Sequence, residues 1–247
     1  MFLSKISASG NDFLVTHRFL EGDFSDVAKK LCDRHFGVGA DGFIVLLPSG
    51  VADIRWLFYN SDGSEASMCG NGTRAAGLYA FLNGLAKESL SLETGAGIIE
   101  LLVEGESVTS AFSRCEILQE RIVEEGLEWM LIDTGVPHLT AFSEQFLEFP
   151  KEKLRGLRHK YNANVNIGDI VEGEVMLRTF ERGVEDETLA CGTGMAALFC
   201  HLQNEGRVSQ SATIVPKSGE KLQFIKKEGK IFFKGNVRKI FDTMVLL

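Results

Sequence analysis

The chain has 247 residues, 45% hydrophobic and 24% charged, which is enough to bury one large core or two ordinary ones. A net charge of -8 argues against a nucleic-acid or anionic-membrane partner, since both need clustered Lys and Arg, and leaves a small soluble ligand as the expectation. Residues 1 to 7 show no basic region followed by a sustained apolar run, and no segment approaches the roughly 18 apolar residues of a membrane span, so a cytoplasmic protein is expected.

In chain order, residues 24 to 32 put Phe24, Val27, Ala28, Leu31 and Cys32 on one stripe and predict an amphipathic surface helix. Residues 53 to 59 (Asp-Ile-Arg-Trp-Leu-Phe-Tyr) are rich in aromatic and β-branched side chains and read as a strand. The stretch Glu65-Ala66-Ser67-Met68-Cys69-Gly70-Asn71-Gly72-Thr73-Arg74-Ala75 follows, and then residues 75 to 86, apolar nearly all round, as a helix enclosed by other structure should be. Gly95 and Gly105 punctuate short strands beyond that helix. A short join is expected near residues 114 to 122, and Pro150 is placed to begin a helix through Leu154 and Leu157.

The second half repeats this order. Residues 173 to 180 read as a strand, and Glu187-Thr188-Leu189-Ala190-Cys191-Gly192-Thr193-Gly194-Met195-Ala196-Ala197 repeats the earlier motif. Residues 195 to 202 form another apolar helix, and Gly219 and Gly229 mark turns with the same spacing as Gly95 and Gly105. A pattern Glu-x-x-x-Cys-Gly-x-Gly-x-x-Ala recurring at about half the chain length predicts an internal duplication. The fold class expected is α+β: two similar domains, residues 1–117 and 118–235, in which hairpin meanders wrap a sheet around a central helix.

Five cysteines, none in a Cys-x-x-Cys pair, disfavour a disulfide framework and a zinc site, so no metal is expected. Cys32, Cys115 and Cys200 read as small buried hydrophobes. Cys69 and Cys191 differ, because a cysteine opening a helix meets free backbone N–H groups and the positive end of the helix dipole, which favour the thiolate. The same N–H cluster can grip a carboxylate. Two such thiols on opposite sides of one α-carbon can run a two-base inversion, that is, racemisation or epimerisation.

Further segments make the pattern specific: Gly10-Asn11-Asp12-Phe13, residues 34 to 42 (Arg-His-Phe-Gly-Val-Gly-Ala-Asp-Gly), residues 60 to 65, Pro137-His138, Asn164-Val165-Asn166 and Glu181-Arg182-Gly183. With the two cysteine motifs, and in this order, they resemble the diaminopimelate epimerase family along nearly the whole chain. The resemblance implies a cofactor-independent enzyme that interconverts LL- and meso-2,6-diaminopimelate, serving lysine and peptidoglycan precursor synthesis. It implies Cys69 and Cys191 as the acid/base pair, with Gly70, Asn71, Gly192 and Thr193 binding the carboxylate at the reacting centre. Asn11, Asn60, Asn164, Glu181 and Arg182 would hold the remaining substrate groups, and His138 and Glu181 would bias the thiol pKa values. It further implies two barrel-like domains, with residues 236–247 returning to the first, and the homodimer common in that family.

Four features depart from the family pattern. Val136 replaces a substrate-contacting amide, Gly42 stands where some members carry a glutamine, the segment between Arg182 and Cys191 is one residue longer, and Ser7-Ala8-Ser9 replaces a frequent histidine-glycine pair. The first two weaken recognition of the distal end and suggest slow racemisation of a simpler amino acid such as glutamate. A proline or hydroxyproline racemase-like enzyme shares the two-thiol logic, but such proteins carry a histidine in the first motif and Asp-Arg-Ser-Pro before the second. A pyridoxal-phosphate racemase lacks support because no strong phosphate loop stands out. A non-catalytic amino-acid-binding module with redox-linked thiols is the alternative from a different class, separable by its failure to exchange the substrate α-proton.

Overall fold

Each central helix is laid down by a run of residues too apolar to face water. In the computed structural model, which describes residues 1–112 and 115–246, the chain divides into two compact units: Met1–Ala111 with Lys234–Leu247, and Phe112–Phe233. Arg114, in the expected join, and Leu247, the last residue of the expected returning strand, lie outside the described residues.

The first unit contains strands β1 (Phe2–Ala8), β2 (Asn11–His17), β3 (Gly42–Leu47), β4 (Ile54–Asn60), β5 (Ser89–Thr94), β6 (Gly97–Glu104) and β7 (Ser107–Phe112), with helices α1 (Ser25–Cys32) and α2 (Gly70–Leu82). β1–β2 and β3–β4 are antiparallel, while β2–β3 and β4–β5 are parallel. The parallel pairs need crossovers, and these carry α1 and α2. The last strand, β16 (Lys230–Met244), follows β7 in the hydrogen-bonded order and pairs antiparallel with β1 from Phe2↔Met244 to Ala8↔Val237, so this sheet closes on itself. Closure gives β1 a partner on both sides.

β3 (Gly-Phe-Ile-Val-Leu-Leu) is buried along its whole length because it is covered on both faces. Ile44 and Leu46 point to the core around α2, where Ala75, Ala76, Leu78 and Tyr79 meet Phe13, Trp56, Leu92 and Leu101. Phe43, Val45 and Leu47 point the other way and pack on Ala28, Leu31 and Cys32 of α1. Period-two alternation of strand side chains therefore builds a helix–sheet–helix sandwich.

The second unit repeats this plan with β8 (Glu116–Glu124), β9 (Leu127–Asp133), β10 (Pro137–Phe142), α3 (Lys151–Tyr161), β11 (Asn164–Val171), β12 (Glu174–Glu181), β13 (Asp186–Thr188), α4 (Gly192–Asn204), β14 (Ser211–Val215) and β15 (Leu222–Lys227). β10–β11 and β12–β14 are the parallel pairs, again bridged by helices. Met195, Ala196, Leu198, Phe199 and Leu202 of α4 pack on Ile132, Leu177, Phe224 and Phe233, while Leu154 and Leu157 of α3 cover Trp129, Val165 and Phe180. The duplication read in the sequence is present in the strands; β13, paired with β12 at Phe180↔Glu187, is answered in the first unit by a single bridge, Tyr59↔Glu65.

Three expectations need correction. Residues 116 to 122, within the short join expected near 114 to 122, belong to β8 (Glu116–Glu124). Cys115 and Cys200, expected as free buried thiols, are joined in a disulfide, with Cys200 buried and Cys115 exposed; spacing along the chain carries no information about a pairing 85 residues apart. Pro150 is the residue before the first turn of α3, not its first helical position.

Candidate active site

In the first unit, α2 begins directly after Cys69, five residues before the predicted start. Gly70, Asn71 and Gly72 are poor helix formers, and what starts the helix is its cap: Cys69 is extended at φ -152°, and its Sγ accepts from the Gly72 N–H at 3.4 Å. The thiol sulfur therefore sits on the N-terminal amides of a buried helix. Gly72 eases this approach, since a Cβ there would lie 3.3 Å from both Cys69 Cβ and the Trp56 ring, a tight contact.

Around that terminus, the Asn71 side chain, 4% exposed, donates to Asn11 Oδ1 at 2.8 Å and accepts from the Arg74 guanidinium at 2.7 Å. Asn11 opens β2 and donates to Asp41 Oδ2 at 3.0 Å. Asp41 is held in turn by Arg34 at 2.7 Å. Beside it, burial raises the Asp12 carboxyl but hydrogen bonds from Arg34 and Lys5 outweigh that, leaving it at about 2 and anionic. Asn60 ends β4, is exposed, and is anchored by its backbone N–H to Ser64 O at 2.8 Å.

The second unit places Cys191 as the residue before α4, extended at φ -129° and buried at 7% exposure. Its Sγ lies 3.4 Å from the Thr193 hydroxyl, and Thr134 donates to the Thr193 carbonyl at 3.0 Å. Gly194 has no room for a side chain, because a Cβ would lie 2.3 Å from Asn166 Oδ1, whereas Gly192 has nothing within 4 Å.

His138 on β10 is fully buried and bonded through Nδ1 to Asn166 Nδ2 at 3.0 Å. Burial, and secondarily the charge of Arg182, push its imidazole down to about 3, so it is neutral near pH 7 and acts there as a hydrogen-bonding group, not as a cation. Asn164 accepts from the Arg182 backbone N–H at 2.8 Å, and the Arg182 guanidinium donates to Asn162 O at 2.9 Å. Burial raises the Glu181 carboxyl. The extra residue after Arg182 is absorbed in a turn in which Gly183 and Glu185 have φ of 92° and 60°, before β13.

Sequence reasoning thus named residues that cluster within each unit: Cys69, Gly70, Asn71 and Asn11 in the first, and Cys191, Gly192, Thr193, His138, Asn164, Glu181 and Arg182 in the second. It missed Arg74 and Asn166 as members. Asn166 was legible in principle, since residues two apart on a strand share a face with Asn164.

Each of the duplicated units encloses a helix that starts directly after a cysteine, and the matches that follow place the chain among the isomerases. The diaminopimelate epimerase family model matches residues 3–114 and 130–240, and the chain belongs to that family. It is 55% identical over 244 residues to a diaminopimelate epimerase of a Nitratiruptor species, covering 98% of each chain. It is 46% identical over 240 residues to one of Campylobacter jejuni, covering 97% of this chain and 96% of the relative. Among solved structures, a Bacillus anthracis phenazine biosynthesis protein of the PhzF family shares the fold with TM-score 0.77 at 17% identity, over 100% of this chain and 99% of that one.

Proposed function

We propose that this chain interconverts LL- and meso-2,6-diaminopimelate with Cys69 and Cys191 as the two bases. The observation that carries the reading is that both cysteines are the extended residue immediately before two duplicated helices. One cysteine, as thiolate, takes the α-proton and becomes a thiol, leaving the electron pair on the α-carbon. The other thiol gives its proton to the opposite face and becomes the thiolate. Substrate centre and thiol pair are both inverted in state, and no proton is lost overall. The first-turn N–H groups at Gly70-Asn71 and Gly192-Thr193 lack intrahelical acceptors and suit the substrate carboxylate and the charge that develops beside it. Asn11, Asn60, Asn164, Glu181 and Arg182 supply the remaining contacts, with Arg182 as a planar fork for the distal carboxylate. His138 tunes the site as a neutral imidazole.

The test is incubation with LL-2,6-diaminopimelate in deuterium oxide without pyridoxal phosphate, following α-proton loss and meso formation. Exchange with inversion, abolished by Cys69→Ala and by Cys191→Ala, supports the two-thiol reading. Inversion that survives either substitution defeats it.

A weaker grip on the distal end is favoured by one specific observation. At Gly42 a Cβ would lie 2.6 Å from the Phe58 ring, so no amide side chain fits at that position. Val136, half-buried, offers no hydrogen bond. A missing hydrogen bond to a charged group is worth about 1.5 to 3 kcal/mol, so L-glutamate is expected to be racemised slowly beside fast diaminopimelate turnover. No glutamate turnover at high enzyme concentration would defeat this.

A further inference from the structure

Among the described residues, Arg74 is the largest charged side chain with no exposure at all, and it lies on α2 one turn beyond Asn71. A buried guanidinium is costly unless its donors are used, so its place needs a reason. Residues three apart on a helix share a face, and the guanidinium reaches both Asn71 Oδ1 and Ser9 Oγ. Ser9 and Gly10, with φ of 50° and 86°, form the two-residue turn between β1 and β2, and Asn11 is the next residue. Arg74 therefore ties the helix that starts at Cys69 to the hairpin that carries Asn11.

The bonds run in one direction. Arg74 donates to Asn71 Oδ1, Asn71 Nδ2 donates to Asn11 Oδ1, and Asn11 Nδ2 donates to Asp41 Oδ2. An amide can be turned end for end with little change in shape. Here neither amide can turn, because a guanidinium only donates and a carboxylate only accepts. If Asn71 turned, its NH2 would face Arg74; if Asn11 turned, its oxygen would face the Asp41 carboxylate. We infer that Arg74 is a positioning residue that, together with Asp41 at the far end, fixes the hydrogen-bond polarity of the Asn71–Asn11 pair and hence which edge each amide offers to the substrate. This rests on the reading of Asn11 and Asn71 as substrate-binding residues.

The experiment measures KM and kcat for LL-2,6-diaminopimelate in the purified full chain carrying Arg74→Lys, Arg74→Gln, Asp41→Asn and Arg74→Gln with Asp41→Asn, with melting temperature recorded for each. Lysine only donates, so Arg74→Lys is expected to stay within about threefold of the starting KM. Glutamine can donate or accept, but Arg74→Gln leaves Asp41 to fix the pair and Asp41→Asn leaves Arg74, so each single variant is expected to stay within about threefold of the starting KM. The double variant frees both amides and is expected to raise KM by about tenfold or more, with a smaller change in kcat, beyond the product of the two single effects. A single variant that raises KM as far as the double one, or a double variant whose effect does not exceed the product of the single effects, would overturn the inference. If Arg74→Gln fails to fold, melting of Asn71→Asp reads the same polarity. A carboxylate at that position makes Asn11 turn its NH2 toward the helix and its oxygen toward Asp41, and adding Asp41→Asn is expected to restore the lost stability; additive losses overturn the inference. Absence of turnover in the unaltered chain would instead defeat the underlying substrate reading.

Discussion

Gly192 and Gly194, two positions apart in one motif, are there for different reasons. A methyl group at 194 would lie 2.3 Å from Asn166 Oδ1, so Gly194→Ala must displace the amide that holds the His138 ring, and it is expected to destabilise the fold by about 1 to 3 kcal/mol as overpacking does. Nothing lies within 4 Å of the corresponding point at Gly192, so Gly192→Ala is expected to melt as the unaltered chain does yet raise KM, because the added methyl occupies the proposed carboxylate pocket. Urea melts and steady-state kinetics on the two variants check the contrast. His138 sets a pH dependence of known sign. Its imidazole is held at about 3 against an ordinary 6.5, so between those values the unfolded chain binds a proton that the folded one does not. Stability is intact above about pH 6.5 and falls by up to about 1.4 kcal/mol per pH unit as the solution is acidified. His201, also lowered by burial, adds in the same direction. Urea unfolding at pH 7 and pH 5 should show that loss, reduced in His138→Gln.

At the scale of elements, the helix start and the chemistry share one side chain. Cys69 caps α2 through Sγ, and a serine can do the same, so Cys69→Ser is expected to keep stability within about 1 kcal/mol while α-deuterium exchange falls by at least about a hundredfold. A parallel loss of stability and activity would mean that the thiol is mainly a structural cap. The segment leading into α3 depends on Arg178 of β12, whose guanidinium donates to the carbonyls of Phe146, Leu147 and Phe149 at 2.7, 2.9 and 2.9 Å and pairs with Glu187. Arg178→Met leaves three carbonyls without that donor and Glu187 with the half-exposed Lys217 at 3.4 Å, and about 3 to 5 kcal/mol of stability should be lost in chemical denaturation.

At the scale of the whole molecule, the closure of the first sheet depends on residues from the far end of the chain. Val237, fully buried, pairs with Ala8, and the Met1 amino group donates to Val245 O at 2.6 Å. A chain ending at Phe233 is expected to show fast amide hydrogen exchange in β1 and β7, whose neighbour is gone, while β11 and α4 stay protected. Equal protection in both units would show that β16 does not hold the first sheet together. Because β1 waits for a partner more than two hundred residues later, this contact closes late in any folding order that follows loop-closure cost.

The amino-acid sequence by itself determined the duplication, the two buried helices, the cysteine that precedes each of them and most of the polar residues that gather at each helix start. These are local facts: apolar periodicity, glycine spacing and motif identity are written in consecutive residues, and a repeated motif reports its own significance. Helix bounds were less legible. Residues 75 to 86 gave the apolar run, but α2 spans Gly70–Leu82, because a cap bond begins it and the turn at Asn83-Gly84, with φ of 67° at the glycine, ends it. The tertiary structure alone decided that Cys115 meets Cys200, that Phe58 fills the space beside Gly42, that His138 is buried deeply enough to stay neutral, and that Arg74 and Asp41 orient a pair of amides between them. Each of these joins residues far apart in the chain, and contact, desolvation and hydrogen-bond direction exist only once folding has brought them together.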